Sequence, residues 1–262
     1  MPKIEIEKRA LRYRQKGPRE ATPPLVFVHG AVGGKYVWQA QFEGLPDTLR
    51  LVAPDLPGHG ASDPPPRPYD IADHARVVSA LMEALELAPA VLVGHSMGGL
   101  IAQQVALDHP EQVAGLVLVS TGAKLPVSDL IFGAVEHAFD TLGDFMRQTS
   151  YGPDTPPEVV DRYTQGPLQC TADTARADFE ACQGFDVRDR LAQIALPCLV
   201  LGGTADALVG AGRWNQLVAG LPDAELALVP GAGHMVMQER PEVVNPALTA
   251  FVTQRLTPPQ RP

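Results

Sequence analysis

A strand, a tight turn and a helix follow one another in residues 91–102. Residues 91–93 are continuously apolar, which is typical of a strand that is buried on both faces. Apolar residues then recur at helical spacing from Leu100 onwards. Ser96 lies at the junction, inside the pattern Gly94-x-Ser96-x-Gly98. The chain must therefore turn sharply between a buried strand and a buried helix, and the two glycines let these elements approach closely.

The serine at this turn is a candidate nucleophile. A strand-to-helix turn of this pattern holds a serine hydroxyl at its exposed tip. The first N–H groups of the following helix are unpaired and carry a partial positive charge, so they favour an oxyanion that forms beside Ser96. Turns of small residues also occur without any chemistry. The strand before Ser96 and the helix after it favour the catalytic interpretation.

The composition is that of a globular protein. The chain has 262 residues, of which 45% are hydrophobic, so it can bury one substantial core. Its formal net charge of -9 is spread along the sequence, so we expect neither nucleic acid nor an anionic membrane as a partner. With no signal-peptide pattern and no membrane-spanning stretch, we expect a cytoplasmic protein. The oligomeric state stays open.

The order of elements predicts the fold class. Buried strands and helices alternate up to about residue 121 and again after residue 191, which predicts a mainly parallel α/β sheet covered on both faces. One or two edge strands are expected in residues 3–14. Near the end, Asn245-Pro246 fits an N-cap and the first position of the last helix, with residues 242–244 as a separate turn. Residues 257–262 are expected to fray.

Residues 123–190 interrupt this alternation. They contain no strand pattern and hold seven aromatic residues among amphipathic stretches. We predict a helical insertion that covers one end of the sheet. Its aromatic side chains either face a substrate pocket or join the helices to one another, and the sequence leaves both open. The residues that we expect to line a pocket are Val32, Phe132, Phe139, Leu208 and Met235.

A serine nucleophile needs a base, and the base needs an acid that orients it. Among seven histidines, His234 alone follows a late strand in a glycine-flanked turn that can reach Ser96. Asp206 follows another late strand, at the sheet edge where α/β proteins place their sites. We predict the triad Ser96, Asp206 and His234. Structural roles are expected instead for the histidines in tight loops, His29, His59 and His95, and for Asp55 as a brace between loops.

Taken together, these motifs resemble the α/β-hydrolase fold family over nearly the whole chain. The motifs are His29-Gly30, Asp55-Leu56-Pro57-Gly58-His59-Gly60, Gly94-His95-Ser96-Met97-Gly98-Gly99, Asp206 and Gly233-His234. The resemblance implies an eight-stranded sheet and a helical cap after the sixth strand, with the core in residues 1–121 and 192–262 and the cap in residues 122–191. It also implies an oxyanion hole formed by the backbone N–H groups of Ala31 and Met97.

We therefore expect a serine hydrolase that cleaves a small to medium carboxylic ester or lactone through an acyl-enzyme on Ser96, in enzyme class EC 3.1.1. No metal or organic cofactor is expected. One alternative is a carbon-carbon bond hydrolase or an enol-lactonase of aromatic catabolism, because residues 121–124 faintly resemble enol-lactonases. A second alternative is a ligand receptor that keeps the triad and turns over slowly.

Overall fold

The computed structural model describes residues 2–164 and 166–256. Its centre is an eight-stranded sheet with the strand order β1-β2-β4-β3-β5-β6-β7-β8. The strands are β1 Lys3–Ile6, β2 Arg9–Lys16, β3 Leu25–Val28, β4 Leu51–Pro54, β5 Ala90–His95, β6 Val113–Val119, β7 Cys198–Gly203 and β8 Ala224–Val229. Only the pairings of β1 with β2 and of β2 with β4 are antiparallel within the described residues. The predicted mainly parallel sheet is confirmed.

Ten α-helices surround the sheet in the described part of the chain. They are α1 Gln39–Gly44, α2 Ile71–Ala84, α3 Met97–Asp108, α4 Asp129–His137, α5 Phe139–Ser150, α6 Pro157–Thr164, α7 Ala172–Gly184, α8 Ala211–Gly220, α9 Val236–Glu239 and α10 Pro241–Ala250. Short 3-10 helices occupy Lys35–Trp38, Pro110–Gln112 and Arg188–Gln193, and a π-helical turn follows at Phe251–Leu256. None of these helices has the length and apolar character needed to cross a membrane, among residues 2–164 and 166–256.

The apolar core lies in two layers, one on each face of the sheet. Val26 and Val28 of β3 belong to the layer that α2, α3 and α8 cover. Leu25 and Phe27, the alternate residues of the same strand, belong to the layer that α1 and α10 cover. Successive side chains of a strand point to opposite faces, so a strand covered on both sides must be apolar at every position. This explains the continuous apolar runs in the sequence.

The last long helix begins earlier than the sequence indicates. The expected start at Asn245 is wrong, because α10 runs from Pro241 to Ala250 and contains Pro246 in its interior. Pro241 occupies the first position, where a missing N–H is tolerated. Asn245 is not a cap, since its amide donates to the Ala40 carbonyl at 3.2 Å and accepts from Gln41 at 3.1 Å. Residues 257–262, for which fraying is expected, lie outside the described residues.

The helices α4 to α7 lie between β6 and β7, and residues 129–184 are called the insertion below. Their apolar side chains form a separate cluster that includes Ile131, Leu142 and Phe179. Val32, from the loop after β3, belongs to the same cluster. The insertion therefore packs over the edge of the sheet where the parallel strands β3, β5, β6, β7 and β8 end, and a cavity lies between the insertion and this edge.

Candidate active site

Ser96 lies at a strained turn between β5 and α3. Its backbone has φ 52° and ψ -118°, a conformation that is costly for a residue with a Cβ atom. A Cβ atom on Gly94 would overlap the carbonyl of Gly98, and one on Gly98 would overlap the carbonyl of Val28. The glycines of the motif are therefore required by the close approach of backbone to backbone, and the turn presents Ser96 to the cavity.

Hydrogen bonds from β6 and the residues after it hold this turn in place. The Ser96 N–H donates to the Val119 carbonyl at 2.9 Å, and the Thr121 hydroxyl donates to the Ser96 carbonyl at 2.8 Å. Both polar groups of the Ser96 backbone are thus bonded in the strained conformation. Strain at a functional residue persists only when its surroundings fix it in this way.

His234 and Asp206 form a buried pair beside the same cavity. His234 Nδ1 lies 3.0 Å from Asp206 Oδ2. The second carboxylate oxygen accepts the N–H groups of Leu208 at 2.9 Å and Val209 at 3.0 Å. Burial raises the pKa of the Asp206 carboxyl, but the charge and hydrogen bond of His234 and the two N–H groups outweigh burial and hold that pKa below its usual value. An ionised Asp206 fixes the proton of His234 on Nδ1 and leaves Nε2 as an acceptor.

Ser96, His234 and Ala31 line one cavity of about 840 Å³, which is a volume typical of small-molecule sites. Ala31 follows β3, and Met97 is the first residue of α3. Within the described part of the chain, neither the Ala31 nor the Met97 N–H has a hydrogen-bond acceptor. Unpaired N–H groups at a helix start and in a neighbouring loop are suited to bind an oxyanion.

Four of the five expected pocket residues line this cavity: Val32, Phe139, Leu208 and Met235. The expectation for Phe132 is wrong, because its side chain packs against the apolar cluster of the insertion and does not line the cavity. Successive helical residues are turned by about 100°, and in α4 it is the preceding residue, Ile131, that faces the cavity. The sequence identified the correct helix and the wrong face.

Two arginines of the insertion also line the cavity, and both are paired with carboxylates. Arg147 contacts Asp161 and donates to the Thr164 hydroxyl at 3.0 Å. Arg162 donates to Glu43 at 2.5 Å. Both cations already have anionic partners. A substrate in the cavity would therefore meet apolar walls and hydrogen-bonding groups more than unpaired positive charge.

The three loop histidines make the structural hydrogen bonds that the sequence predicts. His29 Nε2 accepts the Leu56 N–H at 3.0 Å, so its Nδ1–H donates to the Gly30 carbonyl at 2.8 Å. His95 Nε2–H donates to the His234 carbonyl at 3.1 Å, and the two rings lie 4.7 Å apart. Burial, and then the neighbouring His234 charge, lower the pKa of His95 to about 3. His95 thus supports His234 as a neutral group.

The predicted role of Asp55 as a brace is confirmed, and its main partner was missed. The carboxylate accepts the N–H groups of Lys35 at 2.8 Å and Ala61 at 3.2 Å, and it forms a buried ion pair with the Lys35 ammonium. A lysine beside the glycine-rich loop is the sequence feature that points to this pair. The pair joins the loop after β3 to the loop after β4.

A second missed contact joins the insertion to residues 230–235, the loop that carries His234 and is called the histidine loop below. The Ser150 carbonyl accepts the N–H groups of His234 at 2.8 Å and Met235 at 3.1 Å. The buried Glu239 carboxylate accepts the N–H groups of Gly152 at 2.8 Å and Gly233 at 2.9 Å. Glu239 lies between the polar residues Gln238 and Arg240, so no pattern in the sequence singles it out. The position of His234 therefore depends on the insertion.

Among the described residues, no group of three or more His, Cys, Asp or Glu side chains is arranged to hold a metal ion. The cysteines Cys170, Cys182 and Cys198 are free thiols. Burial raises the pKa of the Cys170 thiol to about 12 and that of Cys198 to about 12, so neither is an activated nucleophile.

We expect the free energy of unfolding to fall as the pH drops from about 6.5 to about 4.5. Burial lowers the pKa of His74 to about 4 and that of His95 to about 3, so both stay neutral in the folded protein. In the unfolded chain they take up protons near pH 6.5. The unfolded state then binds more protons, and each histidine lowers the free energy of unfolding by about 1.4 kcal/mol per pH unit. Thermal unfolding between pH 4.5 and 8 measures this.

His74→Gln should make this pH dependence shallower by about one proton. His137→Gln is the matched control, because His137 is exposed and should leave the slope unchanged. His59 does not offset the effect. Burial lowers the pKa of His59, but Asp178 raises it above the ordinary value. The contribution of His59 to the free energy of unfolding is therefore complete below pH 6.5, and it is lost only as the pH rises through the higher pKa of the folded protein. An equal Tm at pH 5 and pH 7 would contradict the prediction.

Comparison with known proteins identifies the family. A sequence model described as the alpha/beta hydrolase fold matches residues 23–241. The chain belongs to the α/β-hydrolase fold family. This α/β-hydrolase is 34% identical over 268 aligned residues to a non-heme chloroperoxidase of Streptomyces lividans, with 92% of the chain and 95% of the relative covered.

Two further relatives of this α/β-hydrolase carry hydrolase names. It is 27% identical to 3-oxoadipate enol-lactonase 2 of Acinetobacter baylyi, and the alignment covers 93% of each chain. It superimposes on a thermophilic esterase from Thermogutta terrifontis with a TM-score of 0.87 at 26% identity, covering 98% of this chain and all of the esterase. The α/β-hydrolase fold is thus established, and the similarity to an esterase and a lactonase supports hydrolysis of an ester or lactone.

Proposed function

We propose that the protein is a serine hydrolase that cleaves a carboxylic ester or lactone of small to medium size, as in EC 3.1.1. The observation that carries this proposal is the hydrogen bond between His234 and Asp206 beside the cavity into which the Ser96 turn opens. The similarity to an esterase and to an enol-lactonase supports the same substrate class. We further propose that residues 122–191 are a cap that shapes the substrate pocket over a core of residues 1–121 and 192–262.

In the proposed mechanism, His234 Nε2 takes the Ser96 proton as the hydroxyl oxygen attacks the substrate carbonyl. The N–H groups of Ala31 and Met97 stabilise the resulting oxyanion. His234 then returns the proton to the leaving alcohol oxygen, and an acyl-enzyme remains on Ser96. A water molecule, deprotonated by His234, releases the acid. Asp206 stabilises the imidazolium in both halves of the cycle.

The residues that line the cavity favour an uncharged substrate. Its walls include Val32, Phe139 and Met235, and a volume of about 840 Å³ accommodates more than an acetyl group. The partners of Arg147 and Arg162 reduce the positive charge that an anionic substrate would need. Opening of an enol-lactone that carries a carboxylate is the second candidate, because of the similarity to the Acinetobacter enol-lactonase.

The test combines labelling with turnover. The protein is treated with a fluorophosphonate, the labelled residue is located by mass spectrometry, and hydrolysis of p-nitrophenyl acetate, butyrate and octanoate is measured with the same sample. We expect an adduct on Ser96 and faster turnover of butyrate or octanoate than of acetate. An adduct without ester turnover would move the assignment to the enol-lactonase or to a slow receptor, which a panel of lactones distinguishes. Folded protein that is not labelled on Ser96 would end the proposal.

A further inference from the structure

Asp178, on helix α7 of the insertion, contacts two loops of the core at once. Its Oδ2 atom accepts the Val32 N–H at 3.0 Å and lies 2.9 Å from His59 Nε2. The side chain is almost fully buried. Val32 follows β3 and stands next to Ala31, and His59 belongs to the loop after β4. The insertion therefore supplies a hydrogen-bond acceptor to the backbone that flanks the proposed oxyanion hole.

The backbone at Val32 needs such a contact. Val32 has φ 55°, which is a costly conformation for a β-branched residue. Relaxation of Val32 to a negative φ would rotate the peptide plane that contains its N–H group. The Asp178 carboxylate accepts the Val32 N–H at 3.0 Å in the strained conformation, so turning that N–H away would cost a buried hydrogen bond.

The neighbouring peptide plane is held by other residues of the loop after β3. The Ala31 N–H shares its plane with the Gly30 carbonyl, which accepts from His29 Nδ1 at 2.8 Å and from the Gly33 N–H at 3.2 Å. The two planes meet at the Cα atom of Ala31. With His29 on one plane and Asp178 on the next, the direction of the Ala31 N–H is determined.

A carboxylate close to a forming oxyanion would normally oppose it by charge repulsion. His59 provides the compensating charge. Its Nε2 faces Asp178, and its Nδ1 lies 3.2 Å from the Pro57 carbonyl, so both ring nitrogens face acceptors and favour the cation. The other charged or titratable groups around this ring are His29, at 4.8 Å between ring centres, His74 and Asp55. Asp178 and His59 together add little net charge.

We propose that Asp178 is a positioning residue for the oxyanion hole: its carboxylate holds the strained Val32 N–H and so aims the Ala31 N–H at the substrate oxygen, while His59 balances its charge. This inference rests on the proposed serine hydrolase activity. It assigns the insertion a part in transition-state stabilisation in addition to its part in forming the pocket.

The test compares Asp178→Ala with Asp178→Asn. Alanine removes the acceptor, so kcat for p-nitrophenyl butyrate should fall on the order of 10²-fold, the loss typical of one oxyanion donor, with KM changed less than about threefold. Binding of phenylboronic acid, which forms a tetrahedral adduct on serine, should weaken by about the same factor. Asparagine keeps an oxygen that accepts from Val32 and should restore kcat to within about fivefold of wild type.

Ser79→Ala is the matched control, because it also removes a buried hydrogen bond, that to Gln112, away from the cavity. It should lower Tm and leave kcat unchanged. If Asp178→Ala does not fold, Asp178→Ser replaces it, since its hydroxyl ends one bond short of the carboxylate oxygens. Rates are normalised to the fluorophosphonate-titrated fraction.

A folded Asp178→Ala variant with wild-type kcat, a loss confined to KM, or an equal loss in the asparagine variant would each overturn the positioning role. Wild-type protein that neither labels nor turns over esters would instead refute the proposed function itself. The wild-type measurement therefore separates the two failures before any Asp178 variant is interpreted.

Discussion

Replacing Ser96 with alanine should lower kcat for p-nitrophenyl esters by about 10⁴ to 10⁶-fold and leave the fold intact. The substitution removes the oxygen that is proposed to attack the substrate. In the described part of the chain the Ser96 hydroxyl makes no hydrogen bond, whereas the backbone bonds to Val119 and Thr121 do not depend on that side chain. Initial rates at saturating substrate, together with circular dichroism and Tm, measure the effect.

The control for this substitution is Ser79→Ala, which removes a serine hydroxyl outside the cavity and should retain wild-type kcat. The alanine variant at position 96 should also lose its fluorophosphonate adduct. Ester turnover near the wild-type rate in folded Ser96→Ala protein would show that another group performs the chemistry.

Asp206→Asn should lower kcat by about 10⁴-fold. The amide oxygen must accept the N–H groups of Leu208 and Val209, as Asp206 Oδ1 does now, because an amide NH₂ placed there would face two donors. The NH₂ group then points at His234 Nδ1 and forces that nitrogen to act as an acceptor. The ring proton moves to Nε2, the nitrogen that is proposed to take the Ser96 proton, so His234 can no longer act as the base.

Titration of the active fraction and kcat measured from pH 5 to 9 test this tautomer argument. Asp186→Asn is the matched control, because Asp186 pairs with Lys124 and Arg188 outside the cavity and its replacement should leave kcat unchanged. Retention of more than a tenth of wild-type kcat by folded Asp206→Asn protein would contradict the prediction.

The fold was predictable from the sequence because each main element has a recognisable pattern within its own residues. A strand covered on both faces is apolar along its length, as β3, β7 and residues 90–94 of β5 are. In the pattern Gly94-x-Ser96-x-Gly98, the two glycines mark a close contact between backbone segments. The start of α10 was mispredicted because a local cap pattern at Asn245 competes with hydrogen bonds to α1, which the sequence cannot display.

The proximity of His234 and Asp206 was also predictable from the sequence. His234 and Asp206 follow strands whose carboxyl ends meet at one edge of the sheet, so topology alone brings them together. Asp178 is 146 positions from Val32, and Glu239 is 87 positions from Gly152. No spacing rule connects such residues, because their contacts depend on how the insertion folds back onto the core. Phe132 was misplaced because the apolar pattern of α4 did not identify the face that borders the cavity.

The acceptor that receives the His234 and Met235 N–H groups is the main-chain carbonyl of Ser150, which every amino acid possesses. Substitution of the side chain at position 150 can therefore leave these hydrogen bonds intact, and a comparison of residue identities among relatives would not detect them. These hydrogen bonds depend instead on the number of residues near position 150 and on the path of the backbone there. Grafting α4, α6 or α7 from a relative should be tolerated better than adding or deleting a single residue between Ser150 and Gly152, since such a change would withdraw the carbonyl and release the histidine loop.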